Sequence, residues 1–246
     1  SPTDPANRAG FSKGNWDLRL YDVPVPLGKA EFNLVYANAN TGLDQYGNSL
    51  PGTDGFAIDF IHLAKPLLDQ PSFNRFSLQF GTGPAKTFSS GFETFSFKGL
   101  SFIRPDPNNS WRFRATEHFV LQPCEHFSIS PALIYQYTDY GDGFGRQTWL
   151  SAGVRPIVEF NRYFSLAFEG GVDYVSESLT GTSGNLFKVT LAPQVALGSH
   201  FFSRPVLRVF VTYGHWSDAF VGQVGGQDYQ TQQEGLTWGL QMETWW

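Results

Sequence analysis

Three aromatic residues stand where the surrounding alternation calls for a polar side chain. Phe73 shares its parity with Arg75, Ser77 and Gln79, while Phe76, Leu78 and Phe80 take the other. Phe202 shares parity with Arg204, Arg208 and Thr212, against Leu207, Val209, Val211 and Tyr213; Val206 and Phe210 fall on the polar side too. Trp245 follows Gln241 and Glu243, against Leu236, Trp238, Leu240, Met242 and Trp246. Successive residues of a strand face opposite sides, so each aromatic sets a flat apolar surface among hydrogen-bonding groups. That combination binds ligands rather than making or breaking bonds.

Bond-making chemistry finds little support. The five histidines (62, 118, 126, 200, 215) show no His-x₃-His or Cys-His spacing, so no metal site is expected. His118 has Glu117 beside it, but neighbours on a strand face opposite sides. GFSKG (10–14) carries the letters of a nucleophile elbow around Ser12, yet no strand precedes it and no helix follows. GDGFG (141–145) and GQVGG (222–226) read as loop tips, with no helix behind them to hold a phosphate. Nothing picks out the Ser, His and Asn set of a barrel hydrolase. No enzyme and no cofactor are expected. A net charge of −5 with no Lys/Arg run argues against a nucleic-acid partner, and a lone Cys124 excludes an internal disulfide.

The elements that must position these residues are strands. Hydrophobic period is two nearly throughout, and about eleven strands fit 16–22, 29–38, 55–65, 73–82, 111–121, 127–138, 146–158, 163–174, 186–197, 204–214 and 235–246. Most run about ten residues, the length that crosses a bilayer at a tilt; globular strands more often have five or six. No helix is evident, and 246 residues suit one large all-β domain. Short turns at 161–162 and 122–125 alternate with longer loops expected at 40–54, 83–109, 139–145, 176–185 and 215–234. Trp16, Trp111, Tyr163, Tyr174 and Trp246 sit at strand ends, as interfacial girdles do. The expected fold is therefore an antiparallel transmembrane β-barrel of porin type, with a soluble sandwich as the alternative. Leu236, Trp238, Leu240 and Trp246 should face lipid. Prolines 131, 156, 193 and 205 each suggest a bulge or a strand end.

The segments GVRPIVEF (153–160), FEGGVDYVSES (168–178), LFKVTLAPQVALG (186–198), SRPVLRVFVTYGHW (203–216) and LQMETWW (240–246) resemble the C-terminal part of the maltoporin family. The resemblance is strongest from about 146 to the end and continues, weaker but in order, back to about 15. It implies a trimeric, sugar-specific porin of the bacterial outer membrane, passing maltose and maltodextrin-type oligosaccharides by passive, facilitated diffusion. Its partners would be the sugar, outer-membrane lipid and two further copies. A general porin, or a barrel serving as adhesin or phage receptor, is the alternative. Porins of this class have about sixteen to eighteen strands, and nothing here resembles the family's opening strands or constriction loop. The chain is expected to be a single barrel domain lacking the N-terminal strands; a shortened barrel closing on itself is the other possibility.

Members of that family carry a path of lumenal aromatics, the greasy slide. By resemblance Trp245 matches one, Phe202 another with Phe in place of Trp, and Phe73 a third. An aromatic plane takes the C–H face of a sugar ring while polar neighbours exchange hydrogen bonds with its hydroxyl rim. Candidate polar-track residues with lumenal parity are Arg112, Arg114, Glu169, Asp173, Lys188, Arg204 and Arg208. Ordinary lumen-lining charge is the plainer reading of each.

Overall fold

The computed structural model describes residues 13–43, 49–50, 52–65, 72–88, 95–97, 100–102, 108–141 and 143–244. Eleven long strands form the wall: β1 (Lys13–Val25), β2 (Gly28–Ala39), β3 (Thr53–Ala64), β4 (Phe73–Thr82), β5 (Trp111–Cys124), β6 (Phe127–Asp139), β7 (Arg146–Glu159), β8 (Phe164–Glu177), β9 (Thr182–Ala196), β10 (Val206–Trp216) and β11 (Glu234–Glu243). They join in one antiparallel sheet in sequence order, each paired with the next. The sheet is open: β1 and β11 are its edges. Two small hairpins, Gly42–Leu43 with Ser49–Leu50 and Phe95–Phe97 with Leu100–Phe102, lie within connections. The only helical turns among the described residues are three short 3₁₀ segments.

Polarity is inverted relative to a water-soluble sheet. Exposed side chains include Leu34, Ile58, Leu133, Leu150, Phe168, Phe187, Val189, Leu207, Val211 and Trp238, one after another around the outer face. Buried side chains include Asp59, Ser77, Arg112, Gln136, Thr138, Ser165 and Gln194 on the inner face. Trp238 is 78% exposed and Leu240 68%, with no second sheet among the described residues against them. A sandwich would have covered this apolar side; lipid is the solvent that accepts it. Asn74 and Glu117 interrupt the outer belt and hydrogen-bond to each other. Trp246 lies outside the described residues.

Connections differ between the two rims. One rim carries 26–27, 65–72, 125–126, 160–163 and 197–205; the other carries 40–52, 83–110, 140–145, 178–181 and 217–233. The expected loop at 176–185 shrinks to a four-residue turn, because β8 and β9 continue beyond the apolar belt. Ser176 pairs with Ser183 and Glu177 with Thr182, so polar side chains cap a ladder still fully bonded, and Gly181 supplies the positive φ of the turn.

The prolines behave differently from expectation. Pro131, Pro156 and Pro193 lie inside strands, and each marks a short interruption of pairing on one flank only. The skips fall between Ile129 and Ala132 toward β5, Val154 and Ile157 toward β8, and Leu191 and Gln194 toward β10. The register is unchanged across each gap. A missing donor is absorbed without a bulge because the opposite flank stays paired at the same residues. Pro205 does stand just before β10.

Candidate functional site

Phe73 opens β4 and pairs in register with Val120 on β5. Its ring turns to the lumenal side, edge-on to His118 at 4.9 Å between centroids. Phe202 approaches the same ring to 6.0 Å at an interplanar angle of 41°, within the range of favourable aromatic pairs. The two rings open onto a lumenal cavity of about 550 Å³, whose wall includes Arg155, Glu169, Asp173, Lys188, Arg204 and Glu243.

Strand parity does not explain Phe202. β10 begins at Val206, so Phe202 and Arg204 belong to the 197–205 connection and alternation does not govern them. The connection folds inward and carries both residues into the lumen. Trp245 lies outside the described residues; Glu243, two positions earlier on its parity, faces the lumen.

Charges along this wall are paired across strands. Arg155 on β7 holds Glu169 on β8, with its Nη2 2.5 Å from the carboxylate. Arg204 and Arg208 share Glu243 at 2.6 and 2.9 Å. The Nε–H of Arg208 also donates to Gln194 Oε1 at 2.9 Å. Lys188 is exposed and reaches both this cavity and an adjoining one of about 370 Å³, which Glu169, Thr190, Arg208, Phe210 and Gln241 also line. The Arg155–Glu169 pair, with side chains 43% and 38% exposed, is open to water; such pairs are worth about 0–1 kcal/mol, so its atoms can exchange partners with a passing ligand at little cost.

Of the sequence-derived candidates, Phe73, Phe202, Glu169, Asp173, Lys188 and Arg204 come together at the larger cavity, and Arg208 lies in the adjoining one. Arg112 and Arg114 do not. Arg114 pairs with Gln79 and Arg112 with Gly81, at the long-loop end of β5, whereas Phe73 pairs with Val120 near its other end. The Nε–H of Arg112 donates to Thr138 Oγ1 at 2.8 Å. Arg114 donates to Gln79 Oε1 at 2.6 Å and lies over the Phe88 ring at 4.7 Å.

Several lumenal residues escaped the sequence reading. Arg155 and Trp149 share the inward parity of β7 with Gln147 and Ser151, a signal blurred by Pro156 and the apolar residues around it. Trp149 Nε1–H donates to Asp173 Oδ1 at 3.1 Å. Phe210, by contrast, already fell on the polar side by parity; it lies on the lumenal side opposite Gly239, and a Cβ built on that glycine would meet the ring at 2.9 Å. The ring thus covers a gap in the edge strand. It also packs against the buried Ile157, Ala167 and Ala192 together with Phe201.

An antiparallel wall, apolar outside and polar with inward aromatics inside, defines a porin of the outer-membrane class. Residues 3–246 match the family model of the LamB porins, and the chain belongs to that family. LamB porins are sugar-specific outer-membrane channels, a family of channels rather than of enzymes.

Proposed function

We propose that this chain forms the lumenal wall of a channel through which linear glucosyl oligosaccharides, maltose and maltodextrins, diffuse passively. Phe73, Phe202 and Trp245 form an aromatic track, on which sugar rings stack by their C–H faces. Glu169, Asp173, Lys188, Arg204 and Arg208 exchange hydrogen bonds with the hydroxyl rim. Arg112 and Arg114 line the lumen nearer the long-loop mouth. The working assembly is a homotrimer in outer-membrane lipid, a reading that rests on the family.

The observation that carries this reading is the Phe73–Phe202 ring pair opening onto a cavity ringed by ion-paired Arg and Glu side chains. Stacking on one ring contributes roughly 1 kcal/mol, by analogy with aromatic pairs. Several weak contacts in series suit conduction, which needs binding strong enough to admit a solute and weak enough to release it. Single-channel recording of the complete protein tests the proposal: malto-oligosaccharides should block ion current in a saturable way, and non-glucosyl sugars of similar size should block much less. Undiminished current at saturating maltohexaose would identify a general porin.

A further inference from the structure

The rim that carries 197–205 otherwise includes connections as short as 125–126 and 160–163. Nine residues are far more than a link between adjacent antiparallel strands requires, and the surplus is spent crossing the lumen. The carbonyl of Ser199 accepts from Gln122 Nε2–H at 2.9 Å, and the Phe201 N–H donates to Gln122 Oε1 at 3.1 Å. Gln122 belongs to β5, which β6, β7 and β8 separate from β9 in the sheet. The contact therefore spans the concave face of the wall rather than running along it.

Gln122 is fully buried, with 0% exposure, and both ends of its carboxamide are used. Its amide bonds the connection's C=O and N–H as a neighbouring strand would, so none of these polar groups bears the cost of burial without a partner. The rest of the connection is held independently. The Ser203 N–H donates to the His200 carbonyl, and Arg204 Nη1 donates to the carbonyls of Phe201 and Ser203. Phe201 packs into the Ile157, Ala167 and Ala192 cluster. Beneath the connection a cavity of about 20 Å³ remains, space for about one water. Phe202 projects forward, onto Phe73. Phe73 begins the strand next to Gln122's own and pairs with Val120, two residues from Gln122.

We propose that the 197–205 connection is a fixed bar narrowing the short-turn mouth, and that Gln122 is its positioning residue, setting the gap in which Phe202 meets Phe73. Gln122 does not touch the solute; it acts through the backbone of Ser199 and Phe201. The sugar-binding part of this inference rests on the aromatic track proposed above, whereas the bar itself does not.

Gln122→Met in the complete channel tests it, since methionine conserves length and volume and removes both hydrogen bonds. Hydrogen exchange in the peptide covering 197–205 should accelerate at least tenfold, sugar-free conductance should rise, and the malto-oligosaccharide blocking constant should weaken several-fold. Phe202→Ala, with the bar still anchored, should weaken blocking several-fold and leave exchange in 197–205 within twofold of wild type. Faster exchange and higher conductance in Gln122→Met, with sugar blocking unaltered in both variants, would keep the bar and sink the aromatic track. Wild-type exchange and conductance in Gln122→Met would overturn the inference. Failure of that variant to assemble as a heat-modifiable channel would also overturn it, by assigning Gln122 to the wall.

Discussion

Arg208 on β10 and Glu243 on β11 meet across the strand pair with Nη2 2.9 Å from Oε2, while Arg204 takes the other carboxylate oxygen at 2.6 Å. One carboxylate is thus shared by two guanidiniums, which leaves the cluster net positive, two residues before Trp245 on the same parity. The Arg204 and Arg208 side chains are only 10% and 13% exposed, so here the lumenal field depends on Glu243 more than on mobile counterions.

Glu243→Gln should therefore move the lumen toward anion preference. Reversal potentials under a salt gradient are the measurement, and the expected shift is toward the chloride potential. Sugar blocking should weaken by no more than a few-fold, because the aromatic surfaces remain. An unchanged reversal potential would mean that the Glu243 cluster lies off the ion path.

Trp245→Ala should weaken malto-oligosaccharide binding several-fold, since roughly 1 kcal/mol of stacking is close to the 1.4 kcal/mol that corresponds to tenfold. Ion conductance should change much less. Trp238→Ala is the control: that indole is 78% exposed on the outer face and has no lumenal contact to lose. Equal weakening in both variants would point to general destabilisation, and wild-type blocking in Trp245→Ala would remove the residue from the track.

Much of the wall was legible because a period of two is a strong signal when one side faces lipid and the other water. All eleven strands appear where alternation had them, with ends displaced by a few residues. What alternation could not register was chain that leaves the ladder. Phe202 has lumenal parity on paper but reaches the lumen through an inward-folded connection. Gln122 was illegible altogether, because its partners are backbone groups 77 and 79 residues away and no spacing encodes such a contact. Arg155 was missed for a local reason, beside a proline in a strand whose inner side also carries Ile157 and Gly153.

The two faces of one strand give a direct test of the inside–outside assignment. Val211 is exposed on the outer side of β10, and Thr212 on the inner side hydrogen-bonds to Thr190 at 2.7 Å. Arg at a lipid-facing midplane position costs about 2–4 kcal/mol in a barrel. Val211→Arg should lower the temperature of heat-modifiable unfolding markedly. Thr212→Arg should leave that temperature nearly unchanged and alter ion selectivity. The reverse order would invert the faces of the wall.

β1 and β11 are both edges, and each presents a row of backbone N–H and C=O groups that hydrocarbon cannot satisfy. Because every neighbouring pair is antiparallel, the first and eleventh strands run in the same direction. Joining them would need a parallel seam, whereas bacterial barrels of this kind close with an even number of antiparallel strands. The favourable completion adds an odd number of strands between these two edges, each antiparallel to its neighbours. The 246 residues alone, refolded into detergent and offered to planar bilayers, should therefore give no uniform, long-lived conductance, and their edge amides in Lys13–Val25 and Glu234–Glu243 should exchange faster than those of β8 and β9. A single sharp conductance level from these residues, with the β1 and β11 amides protected like the interior strands, would show that the sheet closes on itself through the parallel seam.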